Sequence, residues 1–124
     1  MSKYLIIGGN SDIAIEFARI LLKKNNEIIL SSNDLEKLSF NVKKLEIEFN
    51  TKIKFLHLDI ENLNSFDEII NHLDSDIKNL FFSSGYLEKY ETNIKKIEYV
   101  NYLGPKIFIE KILRTRNLNK IIAI

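Results

Sequence analysis

The sequence predicts an α/β protein: one doubly wound parallel sheet of five strands with helices on both faces. Three observations carry that expectation. Short apolar runs alternate with helical periodicity over the whole length, the pattern of strand–helix units in a parallel sheet. The first run ends at once in Gly8-Gly9, a sharp exit from a buried strand. The chain has 124 residues, the size of one domain. Right-handed crossovers leave two strand orders open, 3-2-1-4-5 and 2-1-3-4-5.

Each element has a local reason. Tyr4–Ile7 is an unbroken apolar run of strand length. Ser11 or Asp12 then caps a helix whose stripe is Ile13, Ala14, Phe17, Ala18, Leu21 and Leu22. Glu27–Ser31 is the second strand. Asn33 or Asp34 caps a second helix, with Leu35, Leu38, Val42, Leu45 and Phe49 on one face. Lys52–Leu58 is the third strand and ends at Asp59. Phe66, Ile69, Ile70 and Leu73 mark a short third helix. Lys78–Phe82 is the fourth strand. Ile94, Ile97, Asn101, Gly104, Phe108 and Ile112 share one face of a fourth helix, and Lys120–Ile124 is the fifth strand.

Composition excludes several classes. Hydrophobic residues are 45% and charged residues 28%, which suits a folded globular chain and not a disordered one. The net charge of +1 offers no field to attract a nucleic acid. Absence of cysteine removes disulfide scaffolds, thiol nucleophiles and thiolate metal sites. The histidines, His57 and His72, are too few for a histidine-rich metal centre. The first apolar run is too short for a signal peptide, and no run reaches the length of a membrane span. A cytoplasmic protein without membrane or nucleic-acid partners is the expectation.

In a doubly wound sheet the ligand sits beyond the carboxyl ends of the strands, so the residues that follow each strand matter most. After the first strand, Gly8 lets the backbone approach a ligand closely, and free N–H groups at the helix start favour a phosphate. A plain strand-to-helix turn with a good cap fits that segment equally well. Asp59 suits an adenine amino group or a phosphoryl acceptor, and also a simple loop cap. Ser83-Ser84-Gly85 leaves room for a sugar ring, or is a turn. Asn101 is a polar residue on an apolar face and needs partners. Pro105 lacks an N–H, so inside a helix the Asn101 carbonyl loses its donor and the helix kinks. Such a carbonyl suits a water or an ammonium group; a kinked packing helix is the simpler alternative.

Taken in order, these segments resemble the short-chain dehydrogenase/reductase family, which folds as a Rossmann sheet. Ile7-Gly8-Gly9-Asn10-Ser11-Asp12-Ile13-Ala14 stands where that family has TGxxxGxG. Gly8 matches, and Asp12 and Ala14 occupy the other two glycine places. Leu58-Asp59-Ile60 is similar to the family's adenine contact, Phe82-Ser83-Ser84-Gly85 to its NNAG segment at Gly85, and Val100-Asn101-Tyr102-Leu103-Gly104-Pro105 to its asparagine helix. The resemblance implies strand order 3-2-1-4-5 and a single NAD(P)-binding domain over residues 1–124 that stops after the fifth strand. It implies cofactor contacts at Gly8, Asn10, Ser11 and Ile13, at Ser32 and Asn33, at Asp59 and Ile60, and at Ser83, Ser84 and Gly85. Asn101 takes the family's proton-relay position. Asp12 is expected to cap the helix.

The chemistry so implied is hydride transfer between a nicotinamide cofactor and an alcohol or carbonyl substrate, with a tyrosine acid/base lowered in pKa by a lysine. The family's catalytic serine and YxxxK lie after the fifth strand, beyond Ile124. This chain alone is therefore expected to bind cofactor without catalysis. The choice of NAD or NADP stays open, because Ser31-Ser32-Asn33-Asp34 carries neither the usual acid nor a nearby arginine. Two other readings compete: a phospho-receiver domain with Asp59 as acceptor, and a non-catalytic remnant that folds with a partner. Self-association is expected through the fourth helix or an uncovered sheet face.

Overall fold

A computed structural model describes residues 2–83 and 102–124. The strands are β1 (Lys3–Ile7), β2 (Glu27–Ser32), β3 (Lys54–His57), β4 (Asn79–Phe82) and β5 (Lys120–Ala123). The α-helices are α1 (Asp12–Lys23), α2 (Leu35–Phe49), α3 (Phe66–His72) and α4 (Gly104–Leu113), with a 3-10 turn at Leu63–Ser65. All strand pairs are parallel, in the order β3-β2-β1-β4-β5. The order with β1 beside β3, which a receiver domain requires, is thereby excluded.

Strand residues alternate between two cores, because successive side chains point to opposite faces. Leu5 and Ile7 of β1, Ile29 of β2, and Leu80 and Phe82 of β4 enter one core with Phe66, Ile70, Phe108 and Ile112 of α3 and α4. Tyr4, Ile6, Ile28, Leu30 and Phe81 enter the other, with Ala14, Ala18, Leu21, Leu38, Val42 and Leu45 of α1 and α2. Aromatic pairs close both layers. Phe17 stacks on Phe81 at 4.3 Å, and Phe108 meets Phe66 and Phe82 edge-on at 5.2 and 6.2 Å. Both edge strands are only four residues long and begin with a lysine, which discourages edge pairing.

Several expectations shift. β3 starts at Lys54, not Lys52. The Ile53 amide is taken by the Glu46 carboxylate at 2.9 Å and does not join the ladder. Ile13 lies outside the buried stripe of α1 and is 52% exposed, because the 3.6-residue period puts Ala14, Ala18 and Leu21 against the sheet. Pro105 stands in the first turn of α4, directly after residues 102 and 103 in a π-helical turn. The kink expected at Pro105 turns on the Asn101 carbonyl four residues earlier. Asn101 lies outside the described residues.

One charged cluster ties the amino end to the α3–β4 connection. Lys3 Nζ contacts Asp74 at 2.6 Å, Glu27 at 3.3 Å and Asp76 at 3.4 Å, and Lys54 reaches Asp74 at 3.3 Å. The hydrogen bond from Lys3, then that from Lys54, holds the Asp74 carboxyl below its ordinary value. A depressed carboxyl pKa stabilises the fold above the unfolded value, about 3.9, and that contribution is lost as pH falls through the folded value. Asp74→Asn is therefore expected to lower the melting temperature at neutral pH, with the gap to the unmodified chain shrinking below about pH 3. Thermal melts across that range check it.

Candidate functional site

β1 is the reversal point of the sheet. Its neighbours are β2 and β4, and the helices that follow β1 and β3 pack on opposite faces. In doubly wound sheets the ligand crevice lies above such a reversal point, here the carboxyl end of β1.

The β1–α1 turn forms the floor of that crevice. Gly8 has φ 82°, a conformation that side chains resist. The Gly8 and Gly9 amides both donate to the Ser31 carbonyl, at 3.1 and 2.7 Å. They hold the turn to β2, so these two donors are turned away from any ligand. Gly9 is needed for another reason. A Cβ there would meet Leu30, Leu38 and the Ser31 carbonyl at 3.2 Å.

Phosphate-type donors come one step later. Ser11, not Asp12, caps α1: its Oγ accepts from the Ala14 amide at 3.1 Å. That leaves the amides of Asp12 and Ile13, the first two of the helix, without an intrahelical carbonyl. They stand at the positive end of the helix dipole. Asp12 is exposed there. The Ser11 hydroxyl also shares a 2.6 Å hydrogen bond with the Ser83 hydroxyl, and the Ser83 amide donates to the Ile7 carbonyl at 2.8 Å. The segments after β1 and β4 are thus stitched together at the bottom of the crevice.

Asn10 fastens the other wall. Its Nδ2 donates to Ser32 Oγ at 2.8 Å and to the Asp34 carbonyl at 3.0 Å, and its Oδ1 accepts from Asn41 Nδ2 at 2.8 Å. Ser32 Oγ also accepts the Asp34 amide at 3.1 Å. The Asp34 carboxylate caps α2 through the Lys37 amide at 3.1 Å, and Asn33 is exposed beside it. Asp59 makes a local turn, with Oδ1 accepting from the Glu61 amide and its carbonyl from the Asn62 amide, both at 2.9 Å. Ile60 is buried in the α3–α4 core.

The structure therefore brings Gly8, Asn10, Ser11, Ile13, Ser32, Asn33 and Ser83 around one end of the sheet, with Asp59 and Ile60 just past β3. Ser84, Gly85 and Asn101 lie outside the described residues. Sequence reasoning missed Asn41 and the Ser31 carbonyl. Asn41 had a faint signal, a polar residue directly before the buried Val42. The Ser31 carbonyl had none, since main-chain acceptors carry no residue code.

Comparison with solved structures bears on the fold. An NAD+-bound xylitol dehydrogenase matches with a TM-score of 0.85 at 17% identity, over 98% of this chain and 52% of that one. This is the Rossmann-like fold of short-chain dehydrogenases. The Rossmann-like sheet also matches an alcohol dehydrogenase from Comamonas testosteroni specific for bulky-bulky ketones (TM-score 0.76, 15% identity, 92% of this chain and 49% of that one). A short-chain type dehydrogenase/reductase from Mycobacterium ulcerans matches with a TM-score of 0.77 at 17% identity, over 92% of this chain and 46% of that one. The chain spans about half the length of these solved proteins. No protein-family model matches the sequence, and no curated protein matches it.

Gly8→Ala is expected to destabilise the chain by roughly 1–2 kcal/mol, the penalty of a left-handed alanine. Ser11→Ala is expected to cost about 1 kcal/mol through loss of the cap. Urea denaturation of each variant checks both.

Proposed function

We propose that this chain is the cofactor-binding part of an NAD(P)-dependent short-chain oxidoreductase acting on an alcohol or carbonyl substrate. The observation that carries the reading is the pair of open amides, Asp12 and Ile13, at the reversal point of a sheet whose fold is shared with an NAD+-bound dehydrogenase. The donor set fits a dinucleotide. Those amides and the Ser11 hydroxyl face where a diphosphate bridge lies in such a fold, and exposed Ile13 offers it an apolar flank. Gly8 and Asn10 shape the floor, Ser32 and Asn33 border the adenosine ribose, and Asp59 with Ile60 borders the adenine. Ser83 lines the β4 side; Ser84, Gly85 and the relay residue Asn101 are carried over from the family resemblance alone.

When bound, the nicotinamide supplies or accepts the hydride. This chain binds and orients; the family's serine and YxxxK follow the fifth strand, whereas Tyr102 and Lys106, which have the same spacing here, stand before β5. The reading places it in the cytoplasm. It also includes self-association, since Ile121 of β5, Ile124 just after it and Leu113 of α4 are exposed. No described helix is long and apolar enough to cross a membrane.

Titration with NADH and NADPH, read by nicotinamide fluorescence, tests the cofactor reading. Binding of at least one is expected; silence with both favours a remnant that folds with a partner. Proline substitution probes the amides. Ser11 is extended, with ψ 151°, so Asp12→Pro is compatible with the backbone and deletes one donor. Asp12→Ala removes the same charge and keeps the donor. The proline variant is expected to bind about tenfold more weakly than the alanine variant, in keeping with one hydrogen bond to a charged group. Equal affinities would remove the amide from the site. Sedimentation velocity decides self-association, with a concentration-independent monomer as the contrary result.

A further inference from the structure

We propose, building on the dinucleotide reading above, that Asn41 of α2 is a positioning residue for the β1–α1 turn. It acts through Asn10 and not on the ligand, by fixing which way the Asn10 amide points. The polarity starts at the main chain. The Asp34 carbonyl lies 3.0 Å from the Asn10 side chain, and a carbonyl only accepts. Asn10 must therefore turn its Nδ2 to that side, where it also reaches Ser32 Oγ at 2.8 Å. Its Oδ1 is left facing α2 and can only accept. Asn41 supplies the donor, with Nδ2 at 2.8 Å in a partly buried place. A side chain without a donor at position 41 leaves that oxygen unpaired, which costs more than the bond itself contributes.

Among the described residues the turn is tied in three directions. The Gly8 and Gly9 amides hold it to the Ser31 carbonyl of β2. The Ser11 hydroxyl holds it to Ser83 after β4. Asn10 holds it to the β2–α2 connection and, through Asn41, to α2 itself. Asn10 stands directly before the cap Ser11, so its tie sets the path by which the chain enters α1 and the aim of the Asp12 and Ile13 amides. Both helices lie on one face of the sheet, and the pair joins the entry of α1 to the middle of α2. With that tie lost, the unliganded turn samples more conformations. A ligand that needs one of them then binds more weakly by the fraction of time it is populated.

Calorimetric titration of the full chain with ADP-ribose tests the role. Asn41→Leu keeps a similar shape, adds no charge, suits a helix and removes the donor. It is expected to weaken binding roughly fivefold, in keeping with one hydrogen bond. In an Asn10→Ala background the same substitution is expected to cause no further loss, because the oxygen it served is gone. Unchanged affinity in Asn41→Leu, or an equal loss in both backgrounds, overturns the role of Asn41 and leaves the dinucleotide reading standing. No binding by the unsubstituted chain overturns both. A second readout needs no ligand. The backbone amide resonances of Asp12 and Ile13 are expected to shift or broaden in Asn41→Leu, and resonances that stay in place overturn the positioning.

Discussion

A parallel sheet joined by crossover helices buries both of its faces, and most of this structure follows from that constraint. Leu5 and Ile7 face one helix layer, and Tyr4 and Ile6 face the other. No polar residue could replace any of Tyr4–Ile7 without entering a core. The two layers are filled differently. Ala14 and Ala18 bring α1 close to the sheet, while Phe66 and Phe108 fill the space under α3 and α4. The helix that follows β1 and the helix that follows β3 must therefore leave on opposite sides. Their departure opens the crevice at the carboxyl end of β1. A crevice at that reversal point is, in folds of this kind, a by-product of covering two faces with one chain.

The chemistry of that crevice depends on which main-chain donors are already engaged. Gly8 and Gly9 look like ligand-facing glycines in sequence, yet their amides converge on the Ser31 carbonyl. They make the turn tight enough to deliver α1 with its first two amides outward. Ser11 then satisfies the third amide and reaches across to Ser83. One hydroxyl both caps the helix and ties the two sides of the reversal point. On the β2 side the turn is held by side-chain amides, Asn10 and Asn41. A charged cluster stands at the opposite end of the sheet, where Lys3 meets Asp74, Glu27 and Asp76.

The placement of strands and helices was legible because apolar period and capping residues are local properties. Leu38, Val42 and Leu45 are buried as their spacing requires, and Asp34 caps where a capping residue was expected. Ends were less legible. Lys52 and Ile53 are apolar-patterned like a strand, but a hydrogen bond from α2 captures the Ile53 amide, and no local rule announces a partner seven residues away. Pro105 was read within a longer helix and stands in the first turn of the described one.

By itself, the sequence determined the class of the fold and the alternation of its elements, since each rests on contacts between residues near in the chain. It left two strand orders open. Only the tertiary structure chose between them, and only it showed that the glycine amides point to β2 while Asp12 and Ile13 remain open. It alone joined Asn10 to Asn41 and Ser11 to Ser83. The physical reason is the same in each case. A hydrogen bond between residues 31 or 72 positions apart leaves no periodic trace in the chain that makes it.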